Sequence, residues 1–177
     1  MKIEQLTPNI GAIIRDIDLN EEISHSLIKK LKEAFYTYLV IFFENQNVSP
    51  KKFIEISKYF GELGVYPFVK GMEKFPEIVE VRKNKDEKIN FGGLWHTDTS
   101  YLPEPPASSM LYAIKVPPVG GDTIFSNMYL AYDNLSPAYK TILSDLRGYN
   151  TAEKADAAVT RTHRIADSPR DSNNVQT

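Results

Sequence analysis

The chain has no cysteine among its 177 residues, so neither a disulfide framework nor thiolate chemistry is available to it. No apolar run approaches membrane-spanning length, and the opening Met1-Lys2-Ile3-Glu4-Gln5 is too polar for a secretory signal. Basic residues do not gather into a patch. Lys29-Lys30 and Lys51-Lys52 fall on the solvated faces of expected helices, and the net charge is only -2. Nucleic acid and membrane are therefore not expected partners, and a soluble cytoplasmic protein is the expectation. Histidine is scarce at three residues, so imidazole chemistry must draw on His25, His96 or His163. Aromatics are plentiful, with ten Tyr and nine Phe beside a single Trp, and the length suffices for one domain with a core.

Regular elements are expected in alternation. Residues 1–19 read as short strands around Gly11. Asn20 is placed to cap a helix carrying Glu21 and Glu22 in its first turn. In that helix Leu27, Leu31, Phe35 and Tyr38 recur at helical spacing, widened by Ile28, Ala34 and Leu39. Val40-Ile41-Phe42-Phe43 reads as a buried strand. Ser49-Pro50 starts a second helix with Phe53, Ile56 and Phe60 inward and Gly61 as its stop. Ile78 to Val81 predicts a strand and Lys83 to Lys88 a charged loop. Met110, Tyr112, Ile114 and Val116 alternate as in a half-buried strand, and Thr123-Ile124-Phe125 begins another. Ser136-Pro137 opens a last helix with Tyr139, Leu143 and Leu146 inward and Gly148 at its end. Residues 151–177 hold no aromatic and few large aliphatics, which predicts a polar tail that is mobile or lies on a partner.

The chemistry concentrates at Trp95-His96-Thr97-Asp98. In an extended segment, His96 and Asp98 share one face because strand side chains alternate. They supply two of the three ligands of the 2-His-1-carboxylate triad, which holds Fe(II) with positions open to other ligands. A second histidine in that arrangement is not evident. The plainer alternative makes His96 a hydrogen-bonded strand residue with an orienting carboxylate. Gly92-Gly93 precede the pair and permit close approach. Thr123 is either a β-branched residue starting a strand or a hydroxyl donor to a carboxylate. Asp122 is a turn former. His25 is expected to face solvent, and His163, between Arg residues in the polar tail, has a structural or chance role.

Taken in order, Phe60-Gly61-Glu62-Leu63, Trp95-His96-Thr97-Asp98, Pro105-Pro106 and Pro118-Val119-Gly120-Gly121-Asp122-Thr123 resemble the taurine dioxygenase (TauD/TfdA) family of Fe(II)/2-oxoglutarate oxygenases. The resemblance runs from the N-terminus to about Gly148. It implies an α+β fold, a double-stranded β-helix (jelly roll) with flanking helices, incomplete at its C-terminal side. It implies His96 and Asp98 as iron ligands and Thr123 as a hydrogen-bond partner of 2-oxoglutarate. The family's distal histidine and its 2-oxoglutarate arginine lie in a C-terminal half without counterpart here, and His163 does not stand in the distal-histidine context. Residues 1–150 are thus expected to be the N-terminal part of an oxygenase domain and 151–177 a tail.

In the substrate pocket, Tyr66 stands where taurine dioxygenase itself has a sulfonate-binding histidine, and Gly92 where it has a substrate-facing asparagine. A sulfonate, an alkyl sulfate, an aryloxyacid or another small carboxylate therefore all stay open as substrates, with O2 as co-reactant and succinate and CO2 as co-products. With one histidine and the arginine absent, impaired turnover is expected. Association with a second copy or a complementary fragment is expected too, because half a jelly roll leaves apolar faces uncovered. Two other classes stay open: a non-catalytic jelly-roll binding module, and a cupin-like metal enzyme that does not use 2-oxoglutarate.

Overall fold

A computed structural model describes residues 1–66, 68–84 and 92–151 together with the backbone of Asn173–Asn174. The chain divides into two compact units, the first made of Met1–Ser49 with Leu111–Leu146, the second of Pro50–Met110 with the chain from Arg147 onward.

The first unit is built on a three-stranded sheet. Strand β1 (Lys2–Gln5) pairs antiparallel with β2 (Ala12–Arg15), in the register Lys2 to Arg15. The connection is closed by Leu6 N–H donating to Gly11 O at 2.9 Å, and by Thr7, whose hydroxyl donates to Ile10 O and accepts from Ile10 N–H. Gly11 has φ +91°, which a side chain would resist. Helix α1 (His25–Tyr38) then crosses over, and β3 (Ile41–Phe43) pairs parallel with β2, so that β2 is central.

The core follows from that order. Ala12, Ile13 and Ile14 of β2 are buried, and Leu31 and Ala34 of α1 are buried from the helix side. On the solvent side Arg15 bridges the sheet, pairing with Glu4 at 2.6 Å and Glu44 at 2.5 Å. Three contacts tie the later segment of this unit to the first. The Phe42 and Phe125 rings meet edge-on at 6.2 Å, Tyr112 Oη donates to Gln46 O, and Asn127 Nδ2 donates to Asn9 O.

In the second unit, α2 (Pro50–Lys58) begins on the expected proline and buries Ile56. The Ser57 hydroxyl bonds back to Phe53 O at 2.8 Å and reaches Met110 Sδ at 3.4 Å. Val69 and Tyr101 are the other buried apolar residues among those described in this unit. Two short helices, α3 (Met128–Asp133) and α4 (Pro137–Ser144), belong to the first unit, and a two-residue strand β4 (Asn150–Thr151) pairs antiparallel with β5 (Asn173–Asn174) in the second. No described helix is long and apolar enough to cross a membrane.

Several expected elements are corrected. Helix α1 is capped by Ser24, whose side chain accepts from Leu27 N–H, and not by Asn20. Asn20 is held in a turn instead, its backbone and side-chain N–H groups both donating to Asp18 Oδ1. Strand β3 is half-exposed, not buried, because it lies at the sheet edge. Helix α2 ends at Lys58, ahead of Gly61, where Tyr59 and Phe60 N–H groups tighten to i−3 carbonyls.

Ile78 to Val81 form no strand. Ile78 spends its backbone groups in a turn, accepting from Met72 N–H and donating to Phe75 O. Neither the His-x-Asp segment, nor 110–116, nor 123–125 forms a strand. Alternation marks which side chains could share a face, but a strand also needs a partner backbone. Among the described residues none pairs with these segments, and Leu111, Ile114, Val116 and Ile124 are exposed.

The same cause leaves Tyr139, Leu143 and Leu146 exposed where they were expected inward. Helix α4 stops at Ser144 with Asp145 as its cap, short of Gly148. Its start at Ser136-Pro137 is as expected, Ser136 Oγ accepting from Tyr139 N–H. Helix α3 was not foreseen, although Asn127, which caps it by accepting from Leu130 N–H, was a legible signal. Most of the expected tail, His163 included, lies outside the described residues.

Candidate functional site

The second unit holds the His-x-Asp pair, and a turn rather than a pleat brings it together. Asp98 opens a turn in which Leu102 N–H donates to Thr99 O at 3.0 Å. Thr99 sits at φ +49°, an uncommon position for a β-branched residue. The result places His96 Nε2 3.0 Å from Asp98 Oδ1.

The other heteroatom of each side chain is occupied. His96 Nδ1 lies 2.7 Å from Leu94 O, and Ser109 Oγ donates to Asp98 Oδ2 at 2.5 Å. A proton on Nδ1 facing that carbonyl leaves Nε2 either as a second donor, in the imidazolium, or as a lone pair. Two lone pairs facing each other at 3.0 Å repel unless a positive charge answers both. A metal ion is one such charge. Ligand atoms about 2.1 Å from an octahedral centre and at right angles to one another lie about 3.0 Å apart. Histidine with its far nitrogen on a carbonyl, and carboxylate with its far oxygen hydrogen-bonded, are the usual supports of metal ligands. The pair could therefore hold two adjacent positions of one ion, and both side chains are about half exposed. Among the described residues no group of three His, Cys, Asp or Glu side chains gathers for a metal.

Gly92, expected near the substrate, stands against the histidine. It has φ +69°, and a Cβ there would lie 3.3 Å from His96 Cε1. Tyr66, the other residue expected there, packs its ring edge-on to Phe68 at 5.8 Å, and Phe68 packs on Tyr101 at 5.6 Å. Burial raises the Tyr66 phenol above its ordinary pKa, outweighing the opposite pull of the Tyr101 hydroxyl, and the Asp98 charge adds to the rise. Burial, then Tyr66 and the Asp98 charge, push the Tyr101 phenol far up. The Tyr101 hydroxyl is buried beside that of Tyr66, and Thr99 Oγ1 is buried without a hydrogen-bond partner among the described residues. Thr123 belongs to the other unit, where it is exposed and outside any regular element, just after Gly120 and Gly121 at φ +77° and +78°.

Sequence reasoning missed Ser109 and Tyr101. Ser109 approaches Asp98 across eleven residues of proline-rich chain, and no spacing rule announces such a contact. Tyr101 was legible only as an aromatic three places after Asp98.

The model of the taurine catabolism dioxygenase TauD, TfdA family matches residues 2–175. The chain belongs to this family. It is 29% identical over 157 residues to an alkylsulfatase of Acinetobacter baylyi, covering 86% of this chain and 48% of the relative. It is 30% identical over 164 residues to an alpha-ketoglutarate-dependent 2,4-dichlorophenoxyacetate dioxygenase of Cupriavidus pinatubonensis, covering 83% of this chain and 57% of that one. Among solved structures it is similar to a taurine dioxygenase from Burkholderia xenovorans, with a TM-score of 0.71 and 30% identity, over 84% of this chain and 52% of the other. The chain thus spans about half the length of the TauD/TfdA relatives it matches.

Proposed function

We propose that this chain takes part in the Fe(II)- and 2-oxoglutarate-dependent oxidation of a small organic acid, a sulfonate, a sulfate ester or a carboxylate, with His96 and Asp98 as two of the iron ligands. The observation that carries the reading is the 3.0 Å approach of His96 Nε2 to Asp98 Oδ1, with the far atom of each tied down. Iron, when bound, supplies the oxidising chemistry together with 2-oxoglutarate and O2. The protein's share is narrower. Leu94 O fixes the imidazole so that Nε2 faces the ion, and the Ser109 hydroxyl holds the carboxylate so that Oδ1 does. Gly92 leaves the imidazole room to lie where it does. Thr123 offers a hydroxyl to a 2-oxoglutarate carboxylate.

The substrate range is drawn from what the relatives are named for: an alkyl sulfate, an aryloxyacetate and taurine. The fold we propose is the jelly roll of the family, supported by the likeness to the taurine dioxygenase structure. Two ligands alone leave an ion mostly hydrated, and Thr123 offers 2-oxoglutarate a neutral hydrogen bond worth about 0.5–1.5 kcal/mol, where a charge-assisted one is worth more. Low turnover by residues 1–177 follows, as does association with a second copy or a complementary polypeptide.

Anaerobic calorimetric titration with Fe(II) or Mn(II) tests the metal assignment. The parent chain should take up one ion weakly, and His96→Ala and Asp98→Ala should each weaken uptake at least tenfold. Equal uptake by parent and variants would remove the assignment.

A further inference from the structure

A strained residue stands beside the metal pair. Thr99, next to Asp98, sits at φ +49°, and its Oγ1 is buried without a hydrogen-bond partner among the described residues. Both features cost free energy, and a strained backbone position persists only where its surroundings over-determine it. Released, Thr99 would relax to the ordinary range of φ and carry the Asp98 carboxylate out of its 3.0 Å approach to His96 Nε2. Whatever holds this turn therefore also holds the pair together.

Two side-chain bonds flank the strained residue. On one side Ser109 Oγ donates to Asp98 Oδ2. On the other, Ser100 Oγ donates to Asn150 Oδ1 at 3.1 Å, a half-buried bond between residues fifty apart in the chain. Asn150 lies in β4, where its backbone is fixed by the ladder that sets it opposite Asn174. The Ser100 bond thus ties chain that forms no strand to chain that does.

Resting on the metal reading above, we propose that Asn150 is a positioning residue for the metal pair: by accepting from Ser100 Oγ it fixes the far flank of the Thr99 turn and keeps Asp98 Oδ1 facing the ion together with His96 Nε2. Asn150 does not touch the ion. Its effect runs through the closed turn, so it is bounded by what one neutral hydrogen bond contributes to that closure. The coupling is reciprocal: an ion that needs the turn closed favours closure by the same factor.

The test uses the full chain with Asn150→Ala, Ser100→Ala and the double variant, each titrated calorimetrically with Mn(II). Hydrogen exchange of Leu102 N–H, which donates to Thr99 O across the turn, is followed in the metal-free chains. Each single variant should bind Mn(II) about two- to tenfold more weakly than the parent, the range of one neutral hydrogen bond. The double variant should bind no more weakly than either single one, because both remove the same bond. Leu102 N–H should exchange faster in all three. Ser100→Thr keeps the hydroxyl and should bind Mn(II) as the parent does. A bond that only braces the fold would lower the Tm and leave Mn(II) affinity alone, and that result would overturn the proposal. Losses of affinity that add in the double variant, or unchanged Leu102 exchange, would overturn it too. Failure of the parent to take up Mn(II) would overturn the metal reading and this inference together, whereas parent uptake with equal uptake by Asn150→Ala would overturn the inference alone.

Discussion

Two stretches of this chain are similarly rich in apolar residues and meet opposite fates. In residues 12–43 the apolar positions become a sheet and a helix face, with Ile14 and Leu31 at 2% exposure. In residues 111–146 Ile114 is 85% exposed, Val116 68% and Leu146 65%. Both stretches carry the periodicity that predicts a buried face. They differ in whether another backbone or face is there to receive it. Periodicity reports a side chain's direction, and burial depends on a second element that the local sequence does not encode.

The widest test of that contrast is a pair of substitutions. Leu31→Ala removes packing from a closed core and should cost about 2–5 kcal/mol in urea unfolding. Leu146→Ser should stay within about 0.5 kcal/mol, as exposed positions do. Equal losses would mean that residues 111–146 are covered in solution, and the contrast would collapse.

The second test asks whether chain without strands can still hold a site in register. Ser109→Ala removes the donor that steers Asp98 and should weaken Mn(II) uptake about tenfold or more. Gly92→Ala places a methyl against His96 at a positive φ, and should combine weaker Mn(II) uptake with a stability loss of about 1 kcal/mol. Unchanged Mn(II) affinity in both would show that the turn alone positions the pair.

A smaller difference is expected between helix caps. Ser24→Ala, at the head of a helix packed on the sheet, should cost about 1 kcal/mol of global stability. Ser136→Ala removes a similar hydrogen bond from exposed α4, and should show in local hydrogen exchange more than in the melt.

The slightest effect concerns pH. Arg15 holds the Glu4 carboxyl below its ordinary pKa, so this pair favours the folded state above the unfolded-chain value and loses that contribution as pH falls through the folded one. Both groups are exposed, so the Arg15→Met chain should show only a slightly flatter acid limb in a Tm-versus-pH series.

These contrasts mark what was legible. Strands around Gly11, the α1 stripe and the Ser49-Pro50 and Ser136-Pro137 helix starts are local signals, and each is found. Segments 78–81, 110–116 and 123–125 read as strands because they alternate or run apolar, and they lack ladder partners among the described residues. At the site, His96 and Asp98 were legible as a pair from their spacing, although the reason offered, a shared strand face, was replaced by a turn. The Ser109 contact and the approach of Tyr66 to Tyr101 were not legible, since each depends on chain folding back from a distance.

The order of the sheet also carries a temporal meaning. Every ladder of β1, β2 and β3 closes within the first 43 residues, through one tight connection and one helical crossover. During synthesis at about 5–20 residues per second, the last strand of this sheet is polymerised roughly three to ten seconds before His96. The sheet whose three strands pair only with one another is thus the part made first, and the His96–Asp98 pair is added after its sequence is complete.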